Sequence, residues 1–189
     1  MEIFMNKTFK LLTLILAAFA VLALASCGEI DENAPEGCVE ISADGVGYNF
    51  YMVSDWMVIE QSGITSAKVS DFDTSNVSVM GFDPENVSSA EEYWNKYSED
   101  FTANFGEINY EEEGTDTTLC GLPAKKYIYT VSVGGADYKF MQIVCYAPNN
   151  AIFTSQPEVY VFTYTALADR YDEHIEDVIY MAEGMTLEK

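Results

Sequence analysis

The fold is decided by one stretch: Ala124-Lys125-Lys126-Tyr127-Ile128-Tyr129-Thr130-Val131-Ser132-Val133-Gly134-Gly135-Ala136-Asp137-Tyr138-Lys139-Phe140-Met141-Gln142-Ile143-Val144-Cys145-Tyr146. Two runs rich in β-branched and aromatic residues flank a Gly-Gly pair. In the first run Tyr127, Tyr129, Val131 and Val133 recur at every second position and share one strand face, with Ile128 opposite. Glycines between such runs supply the positive φ angles that a tight hairpin turn requires. Residues 124–133 and 137–146 are therefore expected to be antiparallel strands.

The same signals extend outward. Glu158 to Thr165 reads as a further strand after the turn at Pro148-Asn149-Asn150. Upstream, Tyr48 to Val53 reads as a strand, Asp55-Trp56 as a turn, and Met57-Val58-Ile59 as another extended piece. Ala67 to Ser70 and Val77 to Phe82 are strand-like, separated by the turn-forming residues 71–76. A strand around Ile108-Asn109-Tyr110 leads to an acidic turn over 111–116 and a short strand over Thr117 to Cys120.

Two helices interrupt the strands. Ser88 followed by Glu91 reads as a capping box. Tyr93, Trp94, Tyr97, Phe101 and Phe105 then fall at helical spacing, and Gly106 ends the run. The second helix is expected over Leu167 to Ala182, with Tyr171, Ile175, Val178, Ile179 and Ala182 on its apolar face. Gly184 stops it, and residues 185–187 can add a short strand. This order predicts an α+β domain over residues 46–189, with a largely antiparallel central sheet flanked by helices.

Residues 1–26 have a different character. Lys7 and Lys10 precede Leu11 to Ala25, an apolar run broken only by Thr13. At 15 residues the run is short for a membrane span, which needs about 20, and suits an export signal peptide. It ends in Leu24-Ala25-Ser26-Cys27, which resembles the lipobox of bacterial lipoproteins. The resemblance implies cleavage before Cys27 and lipidation of its thiol. Acyl chains would then replace the apolar run as the anchor, with about 0.8 kcal/mol from each buried CH₂. Residues 27–45, acidic and containing Pro35 and Gly37, read as a spacer between lipid and domain. The implied localisation is the extracytoplasmic face of the cell membrane.

Charge narrows the partners. The chain carries 9 Lys plus Arg against 31 Asp plus Glu, a formal charge of −22. Removing residues 1–26, with Glu2, Lys7 and Lys10, leaves 7 basic and 30 acidic residues and a charge of −23. Such a surface repels phosphate backbones, so nucleic acid is not expected as a partner. It also keeps the domain off anionic headgroups, leaving the lipid on Cys27 as the membrane contact.

Several motifs in this order resemble the PsbP-like family. They are Tyr48-Asn49-Phe50-Tyr51-Met52-Val53-Ser54-Asp55-Trp56, then Gly121-Leu122-Pro123-Ala124-Lys125-Lys126-Tyr127, then Tyr138-Lys139-Phe140-Met141-Gln142, then Tyr160-Val161-Phe162-Thr163-Tyr164-Thr165-Ala166, and the closing amphipathic helix. The resemblance covers most of residues 46–188. It implies an α/β/α sandwich and a non-catalytic accessory or binding role. No functional residue of the family carries over to a matching position.

Chemistry-bearing motifs are sparse. His174 is the only histidine, and no nucleophile elbow accompanies it, so it reads as a partly exposed helix residue and not as part of a catalytic triad or a histidine-rich zinc site. Carboxylates are abundant enough that a carboxylate-dependent hydrolase is the alternative class. Asp71, Asp73 and Asn76 superficially suggest an EF-hand loop, but the sixth position is Asn76 and the twelfth is Phe82, so the motif fails. Asp71 and Asp73, Glu111-Glu112-Glu113 with Asp116, and Asp169 with Asp172 and Glu173 remain weak candidates for hard cations. A solvated acidic face is the preferred reading. No phosphate loop or cofactor motif is present, so no cofactor is expected.

Beyond Cys27 the three cysteines Cys38, Cys120 and Cys145 leave at least one unpaired; Cys120 and Cys145 could form a disulfide, or all three could be free. The strand tyrosines, with Trp56, either pack under the helices or form a sugar- or peptide-binding surface; packing is preferred. The sequence thus predicts a lipid-anchored accessory or binding domain, with a protein partner at the cell surface. The alternatives are a carboxylate-dependent hydrolase and an acidic spacer without a concave pocket. Labelled palmitate is expected to enter the wild-type chain and not a Cys27→Ala variant, which should also leave the detergent phase. Labelling retained in the variant would refute lipidation at Cys27.

Overall fold

The computed structural model describes residues 34–43, 46–61, 63–147 and 158–188. The apolar leader, Cys27 and the expected turn at 148–150 lie outside the described residues. The strands are β1 (Cys38–Glu40), β2 (Tyr48–Asn49), β3 (Tyr51–Val53), β4 (Met57–Gln61), β5 (Ile64–Lys68) and β6 (Asn76–Phe82). Helix α1 (Ala90–Phe105) follows, then β7 (Asn109–Leu119), β8 (Leu122–Val133), β9 (Ala136–Tyr146) and β10 (Val159–Leu167). A short 3₁₀ turn (Tyr171–Glu173), α2 (Ile175–Gly184) and β11 (Thr186–Leu187) complete the order.

Seven strands form the main sheet in the order β4-β5-β6-β10-β9-β8-β7, and every neighbouring pair is antiparallel. Two small ribbons, β1 with β3 and β2 with β11, lie apart from it in the pairing. The predicted hairpin is present, with Val133 opposite Ala136 across a two-residue loop. Gly134 and Gly135 there have φ of 63° and 89°, the left-handed values such a loop requires. The α+β class and the antiparallel sheet are as the sequence predicts.

Strand β10 explains why the sheet has two helical covers. Eight of its nine residues are buried, so its apolar run serves both faces. Tyr160, Phe162, Tyr164 and Ala166 enter one core with Trp56 and with Val178, Met181 and Ala182 of α2. Val159 and Val161 enter the other, beneath the aromatic stripe of α1. There Trp94 stacks on Tyr127 with ring centroids 4.0 Å apart and 16° between planes. Its indole N–H donates to the Tyr110 hydroxyl at 3.2 Å. A buried polar ladder crosses three strands under this helix. The Tyr129 hydroxyl donates to Gln142 Oε1, and Gln142 Nε2 donates to Thr163 Oγ1, both at 3.0 Å. Tyr127, Tyr129, Tyr160, Tyr164 and Trp56 are all buried, so the strand tyrosines and Trp56 pack rather than form a surface.

Five local expectations are corrected. The cap of α1 is Ser89, one residue later than Ser88: its hydroxyl accepts from the Glu92 N–H at 3.0 Å. Ser88 instead donates its N–H and hydroxyl to the Glu92 carboxylate, which holds that carboxyl below its ordinary value. The acidic stretch 111–116 is no turn but the middle of β7, bent by register shifts at Glu112 and Thr115. The closing helix is shorter than predicted, because β10 continues to Leu167 and the 3₁₀ turn intervenes. Ile179 on it is exposed, and Met181 takes the buried position. The expected spacer over 27–45 includes strand β1, whose register pairs Val39 with Met52; Val39 and Ile41 pack against the core.

The cysteines are the fifth. Cys38, Cys120 and Cys145 are free thiols, so the structure contains no Cys120–Cys145 bridge. Burial pushes the Cys120 thiol to about 12 and that of Cys145 to about 11, which keeps both protonated and slow to exchange.

The Trp94–Tyr127 stack ties α1 to the sheet. Trp94→Ala is expected to cost about 3–5 kcal/mol in urea unfolding, the usual penalty for emptying a large aromatic site. A loss under about 1 kcal/mol would mean that the helix is held by other contacts.

Candidate functional site

The turn between β5 and β6 is tightly self-bonded. Val69 N–H donates to Ser75 O at 2.9 Å and Ser70 N–H to Asp73 O at 3.1 Å. The Ser70 hydroxyl accepts the N–H groups of Phe72 and Asp73 at 3.2 and 3.0 Å. These bonds turn Asp71 and Asp73 in opposite directions. Asp71 pairs with Lys68 at the surface, 2.6 Å away. Asp73 points inward and is buried. Phe72 between them is 98% exposed.

A second turn meets Asp73 from the end of β10. Tyr164 anchors it, donating its hydroxyl to Tyr171 O at 2.9 Å. Arg170 Nη1 lies 3.3 Å from Asp73 Oδ2, and its Nη2 lies 3.3 Å from Glu173 Oε2. His174, at the N-terminus of α2, places Nε2 3.0 Å from the same Asp73 Oδ2. The imidazole stands edge-to-face against Trp56, with centroids 5.9 Å apart and 84° between planes. Trp56 sits just after β3, its N–H donating to Val53 O. Two turns distant in sequence therefore meet at one carboxylate, and Trp56 backs the imidazole.

The electrostatics follow from these contacts. Burial disfavours the charged form of Asp73. Hydrogen bonds from the Ser75 N–H and side chain and from His174, with the Arg170 charge, outweigh it and hold the carboxyl below its ordinary 3.8. Asp73 is thus an ionised, multiply held group. The ligand atoms of Asp73, Glu173 and His174 all lie within 4.8 Å of one another.

The other cation candidates are dispersed along the sheet edge. Lys139 pairs with Glu111 at 2.7 Å, Lys126 with Glu112 at 3.0 Å and Lys125 with Asp116 at 2.7 Å. Glu113 is exposed. These acids face lysines of β8 and β9 and do not converge. The structure thus separates Asp71, Glu111, Glu112 and Asp116 from Asp73, and brings His174 and the candidate Glu173 to it. No sequence signal marks the pair of Asp73 and His174, because 101 residues separate its members.

A second concave feature lies at the other end of β5. It is an open cleft of about 400 Å³, lined mainly by Ile41, Val46, Tyr48, Val58, Ile64 and Thr65. The Tyr48 hydroxyl donates to Val79 O at 3.0 Å and lies 2.9 Å from the Thr65 hydroxyl.

No protein family model and no curated protein sequence matches the chain. Solved structures do share its architecture. CyanoP, the cyanobacterial PsbP of Synechocystis, superimposes with a TM-score of 0.54 at 15% identity, covering 87% of this chain and 99% of its own. LpqN, described as involved in cell envelope biogenesis of Mycobacterium tuberculosis, gives 0.53 at 15% identity, covering 80% and 91%. The fold is therefore a mostly antiparallel α+β architecture that matches the PsbP-like CyanoP and LpqN. Among the described residues no helix is long and apolar enough to cross a membrane.

Asp73→Asn is expected to cost about 1–3 kcal/mol at neutral pH, because it leaves buried donors without their anion. The folded carboxyl titrates below 3.8, so its stabilisation is complete above that value and is lost as pH falls through the folded value. Thermal melts should show the gap between wild type and Asp73→Asn shrinking below about pH 4. A gap unchanged on acidification would refute this role.

Proposed function

We propose that this chain is a lipid-anchored, extracytoplasmic accessory domain that binds a partner at the cell surface and performs no catalysis. The observation that carries the reading is Leu24-Ala25-Ser26-Cys27 at the end of an apolar run, followed by a folded domain that starts by Cys38. Lipid on Cys27 tethers the domain, and its charge keeps it away from anionic headgroups. The likeness to LpqN and CyanoP supports an accessory role.

Two features weigh against the alternatives. A carboxylate-dependent hydrolase needs an acid with a raised pKa beside a second carboxylate. Asp73, the buried carboxylate of the candidate site, is instead held below its ordinary value by hydrogen bonds and the Arg170 charge. An inert acidic spacer needs no concavity, whereas this domain has an apolar cleft of about 400 Å³.

Crosslinking in intact cells, comparing wild type with Cys27→Ala, tests the reading. One reproducible protein partner captured only with the anchor intact is the expected result. Identical capture by both forms, or no partner with either, would overturn it.

A further inference from the structure

The geometry points to a site for one divalent transition-metal ion of the zinc type, formed by Asp73, Glu173 and His174, with Arg170 as the residue that closes it when the ion is away. The donor set is one imidazole nitrogen and two carboxylate oxygens. Imidazole suits zinc and its neighbours, whereas calcium and magnesium prefer all-oxygen shells. Three protein ligands leave a fourth position for water or a bound molecule.

The spacing is close to what the ion needs. With bonds near 2.1 Å in a tetrahedron, neighbouring ligand atoms lie roughly 3.3–3.5 Å apart. Asp73 Oδ2 and His174 Nε2 are 3.0 Å apart, joined by a hydrogen bond whose proton must leave Nε2, for Nδ1 or solvent, when an ion takes its place. One Glu173 carboxylate oxygen is already within 4.8 Å of both, on an exposed side chain that Arg170 holds at 3.3 Å and would have to release. Two of the ligands are also held from behind. Asp73 Oδ1 accepts the Ser75 N–H at 3.0 Å, and Trp56 packs against the imidazole. Such supporting contacts fix ligand orientation in metal centres.

Charge favours a dication. Asp73 and Glu173 bring two negative charges and Arg170 returns one. The Arg170 side chain is 39% exposed and can swing to solvent without being buried as a lone charge. An ion carrying two charges then neutralises both carboxylates. If Arg170 were only a structural clamp, removing it would create no metal affinity.

Calorimetric titration of detergent-solubilised full-length protein with zinc chloride separates the two, with cobalt absorption as a second readout. One equivalent of zinc is expected, and the cobalt complex should lack a thiolate charge-transfer band, which excludes the cysteines. His174→Gln and Glu173→Gln should each weaken binding at least about tenfold; Glu173 is exposed, so its variant does not risk the fold. Arg170→Met should tighten binding at least about tenfold. The proposal is overturned by no saturable binding in wild type and Arg170→Met, by binding unchanged in His174→Gln, by Arg170→Met binding no tighter, or by calcium binding as tightly as zinc.

Discussion

The structure depends on burying β10 on both faces. A strand with side chains of apolar and aromatic character on alternate sides cannot stay half-solvated. Tyr160, Phe162 and Tyr164 require one cover, and Val159 and Val161 require another. Helix α1 supplies the second, and α2 with the ribbon residues Tyr48, Phe50 and Met52 supplies the first. The position of β10 follows from the same need. It lies between β6 and β9, away from both edges, where its backbone is paired on both sides over nearly its whole length.

Polar groups inside this sandwich are handled by pairing. Gln142 would be costly beneath α1 if left alone. It is bonded to Tyr129 on one neighbouring strand and Thr163 on the other, which also fixes the relative register of β8, β9 and β10. At the exposed edge the same sheet uses charge. Strand β7 carries Glu111, Glu112 and Asp116, and lysines of β8 and β9 reach across to them. An acidic, bulged edge strand resists pairing with another chain.

The Asp73 cluster is where the two turns at this end of the sheet are joined. Lys68 and Asp71 form an ordinary exposed pair of small energetic consequence. Asp73, two residues on, is buried and holds Arg170 and His174 together. Its environment makes a lone histidine chemically relevant. Isolated on a helix it would be bland; beside an ionised buried carboxylate it belongs to a hydrogen-bonded cluster.

Local pattern determined most of the architecture. Alternation in Tyr127, Tyr129 and Val131, the Gly134-Gly135 turn and the helical stripe from Tyr93 to Phe105 each depend on neighbours within a few residues, so sequence alone reveals them. The charges of the acidic stretch 111–116 resemble a turn, while its strand state is fixed by backbone pairing with β8, a partner that lies later in the chain. The start of the last helix differs from its local pattern for a similar reason: pairing with β9 keeps Leu167 extended. The candidate site was legible only in pieces. Asp73 and His174 were each visible, but nothing in the sequence joins residues 101 positions apart, since their meeting is set by where β10 inserts in the sheet. Periodicity is a property of neighbours and is written in the chain; juxtaposition of loops is a property of the packed sheet and exists only once it has formed.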